Sequence, residues 1–230
     1  KISINTALAP CEWNDHKINV IDTPGYFDFV GEVKQGIRVA DAALILVPAK
    51  GGVAVGTEKS VAYAKERKLP QMFLVSKMDE EHANFDEVLQ QLVDAFGKGV
   101  VAFQLPIFEN DKFTGVVDII NMKAKKFDKD KIVEADIPAG LSDRVSEIRD
   151  VLNEAIAEND EELMEKYFGG EEFTPEEIKR GIRLGILDGS IMPVFCASAI
   201  NNAGVRLLMD AIIEYMPSPA DVPNEIATKP

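Results

Sequence analysis

Residues 17–29 read KINVIDTPGYFDF. The run Ile18-Asn19-Val20-Ile21 alternates as a strand does and ends in Asp22. The chain then turns at Pro24-Gly25 and continues over Val30–Val39 with apolar residues at helical spacing. An Asp at a strand's carboxyl end, close to a glycine whose backbone can approach a ligand, is a common way to hold a magnesium ion and a phosphate. Tyr26 stands on the exposed side of this turn, facing whatever binds there.

Working outward, Ile2-Ser3-Ile4-Asn5-Thr6-Ala7 alternates with period two, and the polar break Asn14-Asp15-His16-Lys17 joins it to the run at 18–21 as a hairpin. Downstream, Ala42-Ala43-Leu44-Ile45-Leu46-Val47 is a continuous apolar run of the kind buried on both faces of a parallel sheet. A Gly51-Gly52 loop, an amphipathic helix over 57–68, a strand Met72-Phe73-Leu74-Val75 and a helix over 84–96 follow. Strand and helix alternate, which predicts a parallel sheet flanked by helices. Near Val100 the rhythm changes. Pieces at 101–105, 113–119 and 124–127 are strand-like without helices between them and predict an antiparallel insertion. Charged helices over 141–168 and 174–187 come next, the second opened by Thr174-Pro175-Glu176-Glu177, with a capping threonine and a proline at the first helical position. The α/β rhythm returns with a buried strand at 193–197 and a helix at 204–215, before a proline-rich stretch at 217–230 that reads as a linker.

The 230 residues are 46% hydrophobic, enough for a core of one domain plus a sizeable subdomain. A formal net charge of −14 argues against a broad nucleic-acid-binding face of the chain's own. No apolar run approaches the ~20 residues that span a bilayer, and KISINTALAP lacks the build of a signal peptide. Two cysteines, Cys11 and Cys196, with the second in an apolar strand, predict free thiols in a reducing compartment. His16 and His82 have no second His or Cys nearby to share a metal. Trp13 reads as a packing or partner-facing aromatic.

In folds of this class ligands gather beyond the carboxyl ends of parallel strands. Three such ends carry chemistry: Asp22-Thr23-Pro24-Gly25, Ser76-Lys77-Met78-Asp79 and Ser198-Ala199. Each alone is a weak signal. Together, in order and each at a strand end, they form a strong one. With CEWND at 11–15, KMD at 77–79, FTGVVDIINMK at 113–123 and Tyr215-Met216-Pro217-Ser218-Pro219, the chain resembles the translational GTPases, elongation factor G and its relatives above all.

The resemblance implies a P-loop GTPase-type fold with a mostly parallel sheet flanked by helices and an inserted α+β subdomain. Residues 1–99 and 188–216 would form the GTPase core, 100–187 the insertion, and 217–230 a linker toward a following domain. About 120 residues run from Asp79 to Ser198, far beyond an ordinary loop, as the insertion requires. It implies GTP and GDP as ligands with Mg2+. Asp79 would accept from guanine N1 and N2, and Lys77 would pack along the base. The amides of Ser198 and Ala199 would meet O6, Asp22 would hold magnesium through a water, Gly25 would sense the γ-phosphate, and Ser3 would be the switch hydroxyl on the metal.

Three departures qualify that reading. Ser76 stands where the family has asparagine, and Tyr26 where it has the histidine that positions the attacking water. No GxxxxGK[ST] occurs in the 230 residues, so the resemblance places the phosphate loop upstream of Lys1. The whole protein would be a cytoplasmic, monomeric GTPase without membrane contact, working with its further domains on the ribosome and its RNA. Two alternatives stand beside this: a ribosome-binding regulatory module with weak or no hydrolysis, and a GTPase of the ribosome-protection or release-factor kind.

Overall fold

The computed structural model describes residues 2–128 and 131–222. Ala7–Trp13 (β1) and His16–Asp22 (β2) pair antiparallel from Ala7 opposite Asp22 to Trp13 opposite His16. Asn14 and Asp15 turn the hairpin at φ +46° and +60°, the left-handed geometry that two-residue hairpin loops demand and that Asn and Asp tolerate. The expected first arm at 2–7 is thereby corrected: the strand begins only at Ala7. Ile2 and Ile4 find no apolar partner face and remain 57% and 53% exposed, so their alternation leads to no burial. Pro10 lies within β1, as an exposed two-stranded ribbon allows.

After a 3-10 turn at Phe27–Phe29 come Val30–Val39 (α1), Ala43–Pro48 (β3), Val55–Glu66 (α2), Gln71–Ser76 (β4), Phe85–Phe96 (α3) and Val100–Ala102 (β5). Asn84 caps α3 by accepting from the Glu87 amide at 3.1 Å. Gln104–Glu109 (β6), Lys112–Asp118 (β7), Lys123–Asp128 (β8) and Lys131–Ala135 (β9) form an antiparallel meander. Of these, β9 carried no signal recognised in the sequence. The helix expected over 141–168 is two, Ser142–Ala157 (α4) and Glu161–Gly169 (α5). The chain breaks at Asp160, whose carboxylate caps α5 by accepting from the amides of Glu162 (2.9 Å) and Leu163 (3.3 Å). Pro175–Asp188 (α6) opens as expected with Thr174 and Glu177 capping each other. Met192–Cys196 (β10) and Val205–Tyr215 (α7) complete the order.

The central sheet runs β3-β4-β10-β5, all parallel. In the middle strands β4 and β10 every residue but Ser76 is buried, because α2, α3, α4 and α6 pack on strands of this sheet. The edge strand β3 departs from expectation. Ile45 and Val47 are buried, but Leu44 and Leu46 are 38% and 59% exposed, so one of its faces lies open. Parallel pairing gives way to antiparallel at Phe103, whose N–H donates to Val194 O and whose carbonyl accepts from Ile119 N, both at 3.0 Å. Val100–Ala102, expected among the antiparallel pieces, therefore belongs to the parallel sheet. The Phe103 ring meets Phe195 and Tyr215 edge-on, which joins both sheets to α7 in one core.

The proline-rich stretch begins in a turn tied down at both sides. Asp221 accepts from the Ser218 amide and hydroxyl at 2.8 Å each, and pairs with Arg183 of α6 at 2.8 Å. Residues 223–230 of the expected linker lie outside the described residues. Among the described residues no helix is long and apolar enough to cross a membrane.

Candidate nucleotide-binding site

Two clusters of predicted site residues assemble, one on the hairpin and one at the carboxyl end of the parallel sheet. In the first, Asp22 terminates β2, and Ser3 Oγ donates to Asp22 Oδ2 at 3.0 Å across nineteen positions of sequence. The two oxygen-bearing side chains proposed from sequence for magnesium thus converge. Gly25 follows in an exposed turn with no protein atom within 4 Å of where a Cβ would stand. Packing does not demand glycine there.

Tyr26 precedes the 3-10 turn in extended conformation (φ −87°, ψ 139°) and is 56% exposed. Its carbonyl accepts from the Phe29 amide at 3.1 Å. Beside it, the Phe27 ring lies 3.9 Å beneath Lys59 Nζ of α2, a cation–π contact that ties the turn to that helix.

In the second cluster, Ser76 ends β4 half-buried, its hydroxyl donating to Val47 O at 3.4 Å. Lys77 then adopts φ +62°, which swings the chain out of the sheet, and its ammonium pairs with Glu80 at 3.0 Å. Met78 is buried and anchors this turn, donating its amide to Ala197 O at 3.3 Å. Asp79 comes out exposed at the strand end. The fully buried Ser198, just past β10, donates its hydroxyl to Asp79 Oδ1 and accepts from the Asn201 amide at 3.3 Å. Two residues 119 positions apart are thereby joined.

The Ser198 amide is not directed at a ligand, because it donates to Ala203 O at 2.9 Å while Ala203 returns a bond at 3.0 Å. The Ser198 amide is thereby withdrawn from the expected contact with a base, and the Ser198 hydroxyl instead holds the Asp79 carboxylate. Gly204 makes this turn possible. At φ +82° its missing Cβ would lie 2.7 Å from Cys196 O, so only glycine lets α7 start so close to β10. Burial pushes the Cys196 thiol up, out of reach of nucleophilic use.

The donor chemistry fits a divalent cation with a polyphosphate. A hydroxyl and a carboxylate are hard oxygen ligands, and magnesium commonly takes only one or two from protein, with phosphate and water filling the rest. Among the described residues no group of three His, Cys, Asp or Glu could hold a metal by itself, so the ion's other ligands would come from nucleotide and solvent.

Sequence reasoning missed two contributors. Glu32 of α1 accepts the Thr6 amide at 2.7 Å, and Asp210 of α7 accepts from the Trp13 indole (2.7 Å) and the Asn14 amide group (2.9 Å). Neither pairing has a local signal, since each joins elements far apart in the chain.

Residues 1–218 match the family described as the elongation factor Tu GTP binding domain. The chain is also similar to a crystal structure from Thermus thermophilus, at 36% sequence identity and a TM-score of 0.89. The match covers 95% of this chain and 33% of that one, so the chain spans about a third of its length.

Proposed function

The chain belongs to the elongation factor Tu GTP-binding domain family, and from that premise we propose that it is the nucleotide-binding part of an elongation factor G-like protein that works on the ribosome by GTP-dependent switching. In this reading 1–99 and 188–216 form the GTPase core, and 100–187 an inserted subdomain whose first strand, β5, extends the core's parallel sheet. The observation that carries it is the junction of Asp79 with Ser198, which aims a carboxylate outward beyond two neighbouring parallel strands.

Guanine presents N1–H and N2–H side by side, and the exposed Asp79 carboxylate accepts both; adenine has no such donor pair. Lys77 lies along the base, and the Ala199 amide donates to O6. Ser76, shorter than the family's asparagine, braces the base less firmly. At the other cluster Ser3 and Asp22 hold the magnesium, Asp22 through a water, and the Gly25 amide meets the γ-phosphate. Bound there, Mg2+ would supply charge neutralisation on the phosphates.

The triphosphate also needs a cradle of amides and a lysine, and no GxxxxGK[ST] occurs in the 230 residues. The edge position of β3 leaves its hydrogen-bonding side open to a further strand, and the exposed Leu44 and Leu46 leave its face open to a packed layer.

A second reading, of a regulatory GTPase-like protein that hydrolyses slowly, is favoured by one observation. Tyr26 stands exposed where the family has its water-positioning histidine.

The test of the leading reading is nucleotide competition on the full-length protein with Asp79→Asn. Asparagine turns one acceptor into a donor facing the guanine hydrogens, so GTP affinity should fall by about tenfold or more, the loss of a charge-assisted bond pair. Xanthosine triphosphate, which carries an oxygen at ring position 2, should gain. Unchanged preference for guanine would overturn the assignment of Asp79.

A further inference from the structure

We propose that Glu32 is a positioning residue that couples the segment carrying Ser3 to the turn carrying Gly25, so that the two engage a nucleotide as one body. The inference rests on the nucleotide reading of the site above.

Thr6 is held twice by one residue of α1. Its backbone amide donates to Glu32 Oε2 at 2.7 Å, and its hydroxyl donates to the Glu32 carbonyl at 3.0 Å. A backbone amide bonded to a carboxylate at this length is a charge-assisted, strong bond. Ser3 lies three residues before Thr6 and bonds Asp22. Residues 3–6 are thus fastened at one end to the strand that leads into the turn and at the other to the helix that leaves it.

One turn of α1 beyond Glu32 the fit is tight. A Cβ at the buried Gly36 would lie 2.6 Å from Thr23 Cγ2, 3.3 Å from Ile21 Cγ2 and 3.9 Å from Thr6 Cγ2. Helix, strand end and leading segment meet at this point without space to slide. The turn between Asp22 and α1 spans only residues 23–29, with Phe29 bonded back to Tyr26, so a shift of Gly25 toward a phosphate pulls on the first turn of α1. Glu32 sits in that first turn and passes the pull to Thr6, and Thr6 to Ser3.

Hydrogen exchange and nucleotide binding on the full-length protein test this with Glu32→Ala and Glu32→Gln. Without nucleotide, Thr6 should exchange about tenfold faster in Glu32→Ala, the effect of losing one such bond, while amides within the β1–β2 hairpin keep their rates. Glutamine retains an acceptor oxygen and should restore most of the protection. With Mg2+ and a non-hydrolysable GTP analogue, the wild type should gain protection in 3–6 and 25–29 together, whereas Glu32→Ala should gain it in 25–29 alone. The ratio of analogue to GDP affinity should fall about tenfold in Glu32→Ala, within the usual range of coupling between sites, and recover in Glu32→Gln.

A purely structural role for Glu32 would weaken both nucleotides alike and leave the ratio unchanged, which would overturn the coupling. Unchanged Thr6 exchange in nucleotide-free Glu32→Ala would overturn the junction itself. Absence of any nucleotide-induced protection in the wild type would instead overturn the nucleotide reading, and is told apart because the nucleotide-free exchange of Thr6 would still respond to Glu32→Ala.

Discussion

Replacing Asp118 should loosen the joint between the two four-stranded sheets. Its carboxylate ends β7 at 8% exposure and is fully engaged. Oδ1 accepts from the amides of Ile120 (3.0 Å) and Asn121 (2.9 Å), and Oδ2 from the Asn121 side chain (2.9 Å) and Lys125 Nζ (2.8 Å). Arg149 of α4 secures the same turn from the other side by donating to Ile119 O and Ile120 O, each at 2.9 Å. Burial opposes the charge on Asp118, but the bonds from Lys125 and Asn121 outweigh it and hold the carboxyl below its ordinary value of 3.8.

Removing one partner of a buried ion pair costs about 3–5 kcal/mol, so Asp118→Ala should lose that much of a total of order 5–15 kcal/mol. Asp118→Asn keeps an acceptor for the two amides but turns an NH2 toward Lys125, and should lose about 2–3 kcal/mol. Urea unfolding at neutral pH measures both, and a double-mutant cycle of Asp118→Asn with Lys125→Met should give a coupling above about 1 kcal/mol. The folded pKa lies below the unfolded one, so the advantage of wild type over Asp118→Asn is complete above the ordinary carboxyl value and vanishes as pH falls through the depressed one. An Asn variant within about 0.5 kcal/mol of wild type, the size of an ordinary surface substitution, would refute the reasoning.

Two further outcomes follow from other residues. Hydrogen bonds from Lys166 (2.5 Å) and from the Thr174 amide (2.8 Å) hold Glu177 down at about 2, so its support of the start of α6 should persist below the usual carboxylate range and fail only near pH 2. Protection of the Thr174 amide, corrected for its intrinsic exchange, should therefore hold in wild type from pH 5 until Glu177 protonates near 2, whereas in Glu177→Gln, which has no proton to gain, it should not change over that range; a wild-type loss already at ordinary carboxylate pH would show the bonds to Glu177 to be idle. For Tyr26→His, ribosome-stimulated GTP turnover of the full-length protein should rise, by as much as roughly 10²–10⁴ if water positioning is the missing element. No gain, with wild-type turnover already equal to that of ordinary elongation factors, would mean that the phenol is a working substitute.

The alternation of strand and helix through residues 30–96 was legible because its apolar runs are long and its helix starts carry caps, as Asn84 does for α3. The same local chemistry exposed the start of α6 at Thr174-Pro175. Reading failed where a local pattern had no tertiary partner or a tertiary partner had no local pattern. Ile2 and Ile4 alternate but bury nothing, and Leu44 and Leu46 belong to an unbroken apolar run yet lie on an open face. The capping of α5 by Asp160 was hidden inside an acidic stretch that reads equally well as one continuous helix. The strand-end positions of Asp22, Ser76, Asp79 and Ser198 were legible from the apolar runs before them. That Ser198 commits its amide to Ala203 and its hydroxyl to Asp79 was not, because the bond to Asp79 spans 119 positions of sequence.

The two halves of the site are held by different means, and this bears on which of them can move. Asp79 and Ser198 rise from β4 and β10, paired strands with fully covered faces, and the junction between them is braced by Met78 and Ala203. Opening there would break sheet hydrogen bonds and expose core, so this end is rigid. Ser3, Asp22 and Gly25 belong to a hairpin and its flanking segments, which share no ladder with the parallel sheet. The hairpin's strands are mostly exposed. It is fastened at its tip, where Asp210 takes both Trp13 and Asn14, and at its other end through Thr6 to Glu32. Polar attachments at the ends of an exposed ribbon, together with the packing of Gly36 against Ile21 and Thr23, cost less to rearrange than a buried strand pair. The cluster of Ser3, Asp22 and Gly25 is therefore the more easily rearranged of the two, and the cluster of Asp79 and Ser198 the more fixed.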